Sequence, residues 1–336
     1  MRFRPLSEQV ILLTGATSGI GLATARKLSK AGARLILVAR GVEDCEALAG
    51  ELPQAISAPA DVADPVALRA AAQLGLDRWG RIDTWINDAG VAIYGRVEEV
   101  PLEEQRRLFE TNYWGALNGM LEALRLHRAG LGLAKIITVG SQLSDRSMIF
   151  QGPYSASKHA VKAVTDAMRM EVMRESLPLS ITLIKPGSVD TPYMEHARNH
   201  LDSPGNVNPP LAYAPEVVAE GITWACTNQI RDLHVGGAGW LVAKAGQLAP
   251  SLADLGMALM GKVLQTSDTP PRPGMRDNLS SSARGGETRS NQPGVKARES
   301  SLFMQAQMNP LAAFAVGGSI LALTLLLNRS ESGKAH

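Results

Sequence analysis

The chain of 336 residues is predicted to fold as an α/β protein with a doubly wound parallel sheet, extended at its C-terminus by a linker and a hydrophobic helix. Two observations carry that expectation. Short β-branched or Leu-rich runs alternate with helix-period stretches over residues 6–250, and a glycine-rich turn directly follows the first run. Alternation of this kind places helices on both faces of a parallel sheet, because each parallel connection needs a crossover.

The predicted strands are Val10–Leu13, Arg34–Val38, Ile82–Ile86, Lys135–Val139 and Ser180–Ile184. Between them, Gly21–Lys30, Val66–Trp79, Glu103–Leu126 and Ser155–Glu175 read as helices, rich in Ala, Leu, Glu and Arg. Residues 236–264 are helical and apolar on one side, suited to completing a cleft, packing on another subunit or resting on a membrane surface.

Composition narrows the function classes. Apolar residues make up 45% and charged residues 20%, which is globular and excludes global disorder. With 34 basic and 32 acidic side chains the net charge is +2, so no basic excess points to nucleic acid. Cys45 and Cys226 are the two cysteines, too few and too far apart for a zinc module or a disulfide framework, and they fit a reducing compartment. His196 and His200 stand four apart without a third ligand, and we read them as polar loop groups with no metal site.

The expected organisation is a dinucleotide-binding catalytic domain over 1–250, a helical extension over 251–265, a disordered linker over 266–301 and a hydrophobic helix over 310–328. Between Thr266 and Ser301 the only apolar side chains besides proline are Met275, Leu279, Ala283, Val295 and Ala297, too few to offset ordering entropy. Leu311–Leu327 is uncharged and would reach about 25 Å as a helix, the short end of the membrane-spanning range. We expect it to tether the chain to a membrane with the catalytic domain facing the cytoplasm. The competing reading is an oligomerisation helix in a soluble cytoplasmic protein.

The first strand ends in Thr14-Gly15-Ala16-Thr17-Ser18-Gly19-Ile20-Gly21. Such glycines permit a tight turn and a close approach of backbone to a pyrophosphate, which then sits at the positive end of the next helix. The second strand ends Leu37-Val38-Ala39-Arg40. Ala39 offers no carboxylate to a ribose 2′-hydroxyl, whereas the Arg40 guanidinium suits a 2′-phosphate, so the expected cofactor is NADP(H) rather than NAD(H).

Tyr154 and Lys158 lie four apart in Tyr154-Ser155-Ala156-Ser157-Lys158, on one face of a helix. A free phenol titrates near pH 10, and a neighbouring cation favours phenolate. Ser141, just after the strand Lys135–Val139, is placed to donate a hydrogen bond to a substrate carbonyl.

Thr14 to Gly21, Asn87-Asp88-Ala89-Gly90, Asn112, Ser141, Tyr154 with Lys158, and Pro186-Gly187 with Thr191 together resemble, in order and spacing, the short-chain dehydrogenase/reductase family. The resemblance covers about residues 6–240 and is to the branch built as a single Rossmann-type domain. It implies that Tyr154 is the general acid/base, that Lys158 favours its phenolate and holds the nicotinamide ribose, and that Ser141 orients the carbonyl. Asn112 would hold a water linking Lys158 to solvent.

For the cofactor the resemblance implies Gly15, Thr17, Ser18, Gly19, Ile20 and Gly21 at the pyrophosphate, Asp61 and Val62 at the adenine, and Asn87, Ala89 and Gly90 along the middle. Pro186, Gly187, Val189 and Thr191 would flank the nicotinamide. Asp61 reads equally as a helix cap, since Pro65 follows. Asp88 departs from the family, which usually has Asn there. Leu143, Met148 and Phe150 are expected to line the substrate cleft and residues 192–213, with Tyr193, Met194, His196 and Tyr213, to cover it. That inventory suits an apolar carbonyl or alcohol. The family also implies a homo-oligomer through the helices bearing Asn112 and Tyr154. A non-catalytic NADP(H)-binding sensor is the other class that fits, although it would have no need of Ser141, Tyr154 and Lys158.

Overall fold

The computed structural model describes residues 2–273, 275–292 and 296–313. Its seven-stranded parallel sheet consists of β1 (Val10–Thr14), β2 (Arg34–Val38), β3 (Ala55–Ser57), β4 (Thr84–Asn87), β5 (Lys135–Val139), β6 (Ser180–Pro186) and β7 (Asp232–Val235), in spatial order 3-2-1-4-5-6-7. The order reverses between β1 and β4, which places a crevice at their carboxyl ends.

Strand periodicity builds two cores. Ile11 and Leu13 of β1 face one layer, with Leu35, Leu37, Ile137 and Ile184; Val10 and Leu12 face the other, with Ile36, Trp85, Ile136 and Leu183. The first layer is closed by α1 (Gly19–Lys30) and, further along the chain, by α8 (Pro215–Ala225). The second is closed by α3 (Pro65–Trp79), α5 (Gly115–Arg128) and α6 (Gly152–Arg174), while α4 (Leu102–Phe109), which leads into α5, packs Leu108 in a third cluster with Val91 and Tyr94. Because both faces are buried, the central strands read as continuous apolar runs.

The other helices are α2 (Val42–Glu51), α7 (Tyr193–His196), α9 (Gly237–Leu248), α10 (Pro250–Gln265) and α11 (Leu302–Met308). Pro250 opens α10 and separates it from α9. The stretch expected as one helix from Glu103 to Leu126 contains a wide turn at Glu110–Trp114, where the Gly115 N–H reaches back to the Glu110 carbonyl. The Asp64 carboxylate caps α3 by accepting from Val66 and Ala67 at 2.8 and 3.2 Å, so Asp61 is not that cap.

The segment 266–301 departs from its expectation as a disordered linker. Thr266–Ser267 pairs with Gly205–Asn206, Arg272 forms an ion pair with Glu195 at 2.7 Å, and Leu279 is wholly buried against the body. The composition argument holds for a segment alone in water. Here the host surface supplies the partners, and backbone groups and charged side chains do the docking. Beyond it, α11 lies along β7: the Gln307 amide accepts from the His234 N–H at 3.0 Å and donates to its carbonyl at 2.9 Å.

No helix among the described residues is long and apolar enough to cross a membrane. The apolar run Leu311–Leu327 falls, past Ala313, outside the described residues. Large apolar side chains nevertheless stand exposed along α9 and α10, among them Leu241, Leu248, Leu252, Leu259 and Val263.

Candidate active site

The glycine turn leaves β1 with positive φ at Gly15 (71°) and Gly19 (51°). Close approach explains the glycines as much as φ does. A Cβ on Gly15 would lie 2.8 Å from the Ala89 nitrogen, and one on Gly21 would lie 2.0 Å from the Gly15 carbonyl oxygen. The Thr14 hydroxyl accepts from the Asp88 and Ala89 N–H groups at 3.1 and 3.2 Å, tying the end of β1 to the segment after β4.

A cavity of about 480 Å³ opens at the carboxyl ends of the strands. Gly15, Ser18, Gly19, Ile20, Ala89 and Gly90 line one side of it, and Pro186, Gly187, Val189 and Thr191 another. Ser141, Leu143, Met148, Tyr154, Lys158 and Tyr193 face it, as do Met194, His196 and Tyr213. A smaller cavity of about 90 Å³ adjoins it, lined by Thr17, Ser18, Arg40, Asp61, Val62 and Thr111. The expected cofactor residues thus divide between the two cavities, with two exceptions.

Asn87 is a correction. It was expected along the cofactor, but its side chain is buried in the core, accepting from Trp85 Nε1 at 2.8 Å and donating to Ala116 O and Thr138 Oγ1 at 3.3 Å. Those bonds hold β4 to β5 and α5 and leave the amide nothing for a ligand. Gly21 likewise lies behind the turn, where its role is close packing of α1 on the loop. Phe150 does not reach the cleft either; it sits at φ 63° in the bend before α6, its carbonyl accepting from Gly95.

At the reacting end, the Lys158 ammonium donates to the Val139 carbonyl at 3.1 Å and stands 5.7 Å from the centre of the Tyr154 ring. Helical spacing delivers the pair, and the carbonyl at the end of β5 fixes the cation. The Ser141 hydroxyl accepts from the Leu143 N–H at 3.0 Å, which leaves its own proton to be donated into the cavity. Asn112, in the wide turn, accepts from Val91 N at 2.8 Å and donates to Val91 O and Ser157 Oγ at 3.0 and 3.1 Å. Its side chain pins the segment after Gly90 to α6.

Electrostatics differ at the two ends. Burial pushes the Asp88 carboxyl up to about 7, although Lys158 and the Gly21 N–H pull the other way. Burial also raises Tyr94 and Tyr193, so both are neutral phenols. The Asp61 carboxyl, by contrast, is held below its ordinary range: burial opposes this, but the Ala63 N–H and Arg107 outweigh it. Arg107 donates to Asp61 at 2.6 Å.

The residues present fit a dinucleotide. The buried Thr111 hydroxyl has no partner among the described residues and lines the smaller cavity beside the Arg40 guanidinium, so that cavity offers polar groups for a polar ligand. Among the described residues no three His, Cys, Asp or Glu side chains cluster as a metal site: His200 meets Glu104 at 2.6 Å and His196 meets the Met275 sulfur at 3.0 Å.

Sequence reasoning missed Tyr94, whose hydroxyl contacts the Met194 sulfur at 2.8 Å, and Gln142, which donates to Gly236 O at 2.6 Å. Both line the larger cavity. Gln142 directly follows Ser141, a position from which the cleft was legible. It also missed Asn278, far along the chain, for which no local signal exists.

A seven-stranded doubly wound sheet with this glycine turn and this Ser, Tyr and Lys set defines a nicotinamide-dependent oxidoreductase fold. The family model for short chain dehydrogenase matches residues 9–202, and the chain belongs to that family. It is 35% identical over 330 residues to the uncharacterized oxidoreductase YxnA of Bacillus subtilis (strain 168), spanning 96% of this chain and 91% of that protein. Two solved structures share the fold. One is a short chain dehydrogenase/reductase from Burkholderia phymatum in complex with NAD, with a TM-score of 0.66, 21% identity, and 74% of this chain and 96% of that one covered. The other is an alcohol dehydrogenase from the archaeon Thermococcus sibiricus complexed with 5-hydroxy-NADP, with a TM-score of 0.58, 24% identity, and 68% and 95% covered.

Proposed function

We propose that this oxidoreductase is NADP(H)-dependent and interconverts a carbonyl and an alcohol on an apolar substrate. The observation that carries the reading is the opening of Ser141, Tyr154 and Lys158 onto one cavity whose walls include Leu143, Met148 and Met194. When bound, the nicotinamide supplies or accepts the hydride. In the reducing direction Tyr154 gives its phenolic proton to the substrate oxygen as negative charge develops there, and Ser141 donates a hydrogen bond to the same oxygen. Lys158, held by the Val139 carbonyl, keeps a positive charge 5.7 Å from the centre of the Tyr154 ring, beside the oxygen that loses the proton. Arg40 stands at the end of β2, where a phosphate on the adenosine ribose would meet it, and this supports NADP(H) over NAD(H).

The test is NADPH and NADH consumption by the full chain against a panel of ketones, aldehydes and quinones, beside Tyr154→Phe. We expect NADPH turnover that falls by about 10²-fold or more in the variant. Turnover that survives Tyr154→Phe would overturn the assignment of the acid.

Two further elements belong to the same reading. Homo-oligomerisation through α5 and α6 is supported by Leu121, Met170 and Met173, which these helices expose. Tethering of the chain to a membrane through Leu311–Leu327 is supported by the exposed apolar side chains of α9 and α10. Carbonate extraction of membranes tests it, and release into the soluble fraction counts against it.

A further inference from the structure

Residues 275–292 cross the cofactor cleft and return. At the substrate side the Asn278 N–H donates to His196 O of α7 at 2.9 Å. The chain then reaches the adenosine side, where Arg40 donates to the Asn278 and Leu279 carbonyls and Arg107 donates to the Leu279 carbonyl at 3.2 Å. The Leu279 side chain is fully buried, packed in one cluster with Val91, Leu108 and Tyr94.

From there the segment turns along the glycine loop. Gly285 N donates to the Asp44 carboxylate at 2.8 Å, Gly286 N to Thr17 O at 2.9 Å, and Gly19 N to Glu287 O at 2.9 Å. It ends back on the substrate side, where the Ser290 hydroxyl donates to Asp190 and Asn291 N to Glu195 at 3.2 Å. Both walls of the cleft are therefore bridged twice. Asn278, Ser282 and Ala283 form part of the smaller cavity's wall. At about 90 Å³ that cavity is well below the roughly 300–1,000 Å³ of ordinary ligand pockets.

We propose that residues 275–292 are a strap over the adenosine half of the cofactor site, which must lift for the dinucleotide to enter and which closes over it afterwards. Cofactor exchange is then limited by strap opening. The inference rests on the dinucleotide reading of this cleft given above. The contacts suit a closure that opens reversibly: apart from Leu279 the strap is held by hydrogen bonds and charges, each exchangeable for water at small net cost. One buried leucine supplies the latch.

The experiment is stopped-flow measurement of NADPH binding to, and displacement from, the full chain and its Leu279→Glu and Leu279→Ala variants. A charge at 279 should raise the NADPH dissociation rate at least tenfold and the association rate with it; the alanine should raise both about threefold. If Leu279→Glu does not fold, the alanine variant and a protease assay on the wild type carry the test. Trypsin cleavage after Arg276 and Arg284 should slow when NADPH is saturating. Rates in the variants equal to wild type, or cleavage indifferent to NADPH, would overturn the strap alone. Tighter binding with unchanged dissociation would show a competing plug and also overturn it. Failure of the wild type to bind either NADPH or NADH would instead overturn the dinucleotide reading, and the strap with it.

Discussion

Tyr193 packs edge-on against Tyr154, their ring centres 5.6 Å apart, and its buried hydroxyl has no hydrogen-bond partner among the described residues. A buried unpaired hydroxyl costs stability and persists where a ligand completes it. The neighbouring phenol is the proposed proton donor, and on that proposal a bound substrate supplies the partner the Tyr193 hydroxyl lacks. Tyr193→Phe should therefore raise stability by about 1 kcal/mol while lowering kcat/KM several-fold, chiefly through KM. A melting curve and steady-state kinetics on one preparation check both halves. A variant that is less stable would contradict the reading.

Cofactor choice is testable at Arg40. Loss of a charged hydrogen-bonding partner for a phosphate costs about 1.5–3 kcal/mol, so Arg40→Ala should lower kcat/KM with NADPH by roughly ten- to a hundredfold. With NADH the change should stay within about threefold, since no phosphate is there to lose. Equal losses with both cofactors would assign Arg40 to holding the strap and not to selectivity.

Asp88 gives the site a pH signature. Its carboxyl is raised to about 7 in the fold, mainly by burial. The folded chain therefore binds this proton more tightly than the unfolded chain. The stabilisation is full below the unfolded value of about 3.9 and is lost as pH rises through about 7. Above that pH a half-buried charge remains, and Asp88→Asn should be more stable than wild type by about 1 kcal/mol at pH 8, allowing for partial exposure. The advantage should shrink by pH 5. Melting temperatures at the two pH values decide it, and a gap independent of pH would remove Asp88 as the cause.

Gly21 admits no side chain. Its Cβ would meet the Gly15 carbonyl at 2.0 Å, and a backbone atom cannot swing aside as a side chain can. Gly21→Ala should cost about 1–3 kcal/mol in stability and weaken dinucleotide binding as the turn shifts. Denaturant unfolding and an NADPH titration measure the two effects.

The proposed homo-oligomerisation is testable at two exposed methionines. Met170 and Met173 of α6 are 64% and 74% exposed, unusual for large apolar side chains on the helix that carries Tyr154. Light scattering should give two or four times the chain mass, and Met173→Asp should shift it toward the monomer.

The central strands were legible because parallel strands buried on both faces leave uninterrupted apolar runs, as in Val10–Thr14 and Lys135–Val139. The edge strands were not. Ala55–Ser57 is only three residues long, and Asp232–Val235 alternates with Asp232 and His234, so neither carries a run to read. At the site, turn and helix geometry are local, so Gly15, Gly19, Tyr154 and Lys158 open onto one cavity at the spacing visible in the sequence. Asn87 misled because its side chain serves the core while its neighbours serve the cleft. The strap was invisible because its order depends on Arg40, Asp44 and Arg107, more than 150 positions away in the chain.

The Gln307 side chain, paired with both backbone groups of His234, acts as a substitute neighbour for the outermost strand. An uncovered sheet edge is a template on which another polypeptide can add a strand, and folded proteins block such edges to avoid aggregation. The described part of the C-terminal region thus covers a strand edge as well as crossing the cleft. Shortening the chain before α11 would uncover β7, and we expect light scattering to show the shortened protein associating through that edge even with Ser141, Tyr154 and Lys158 in place.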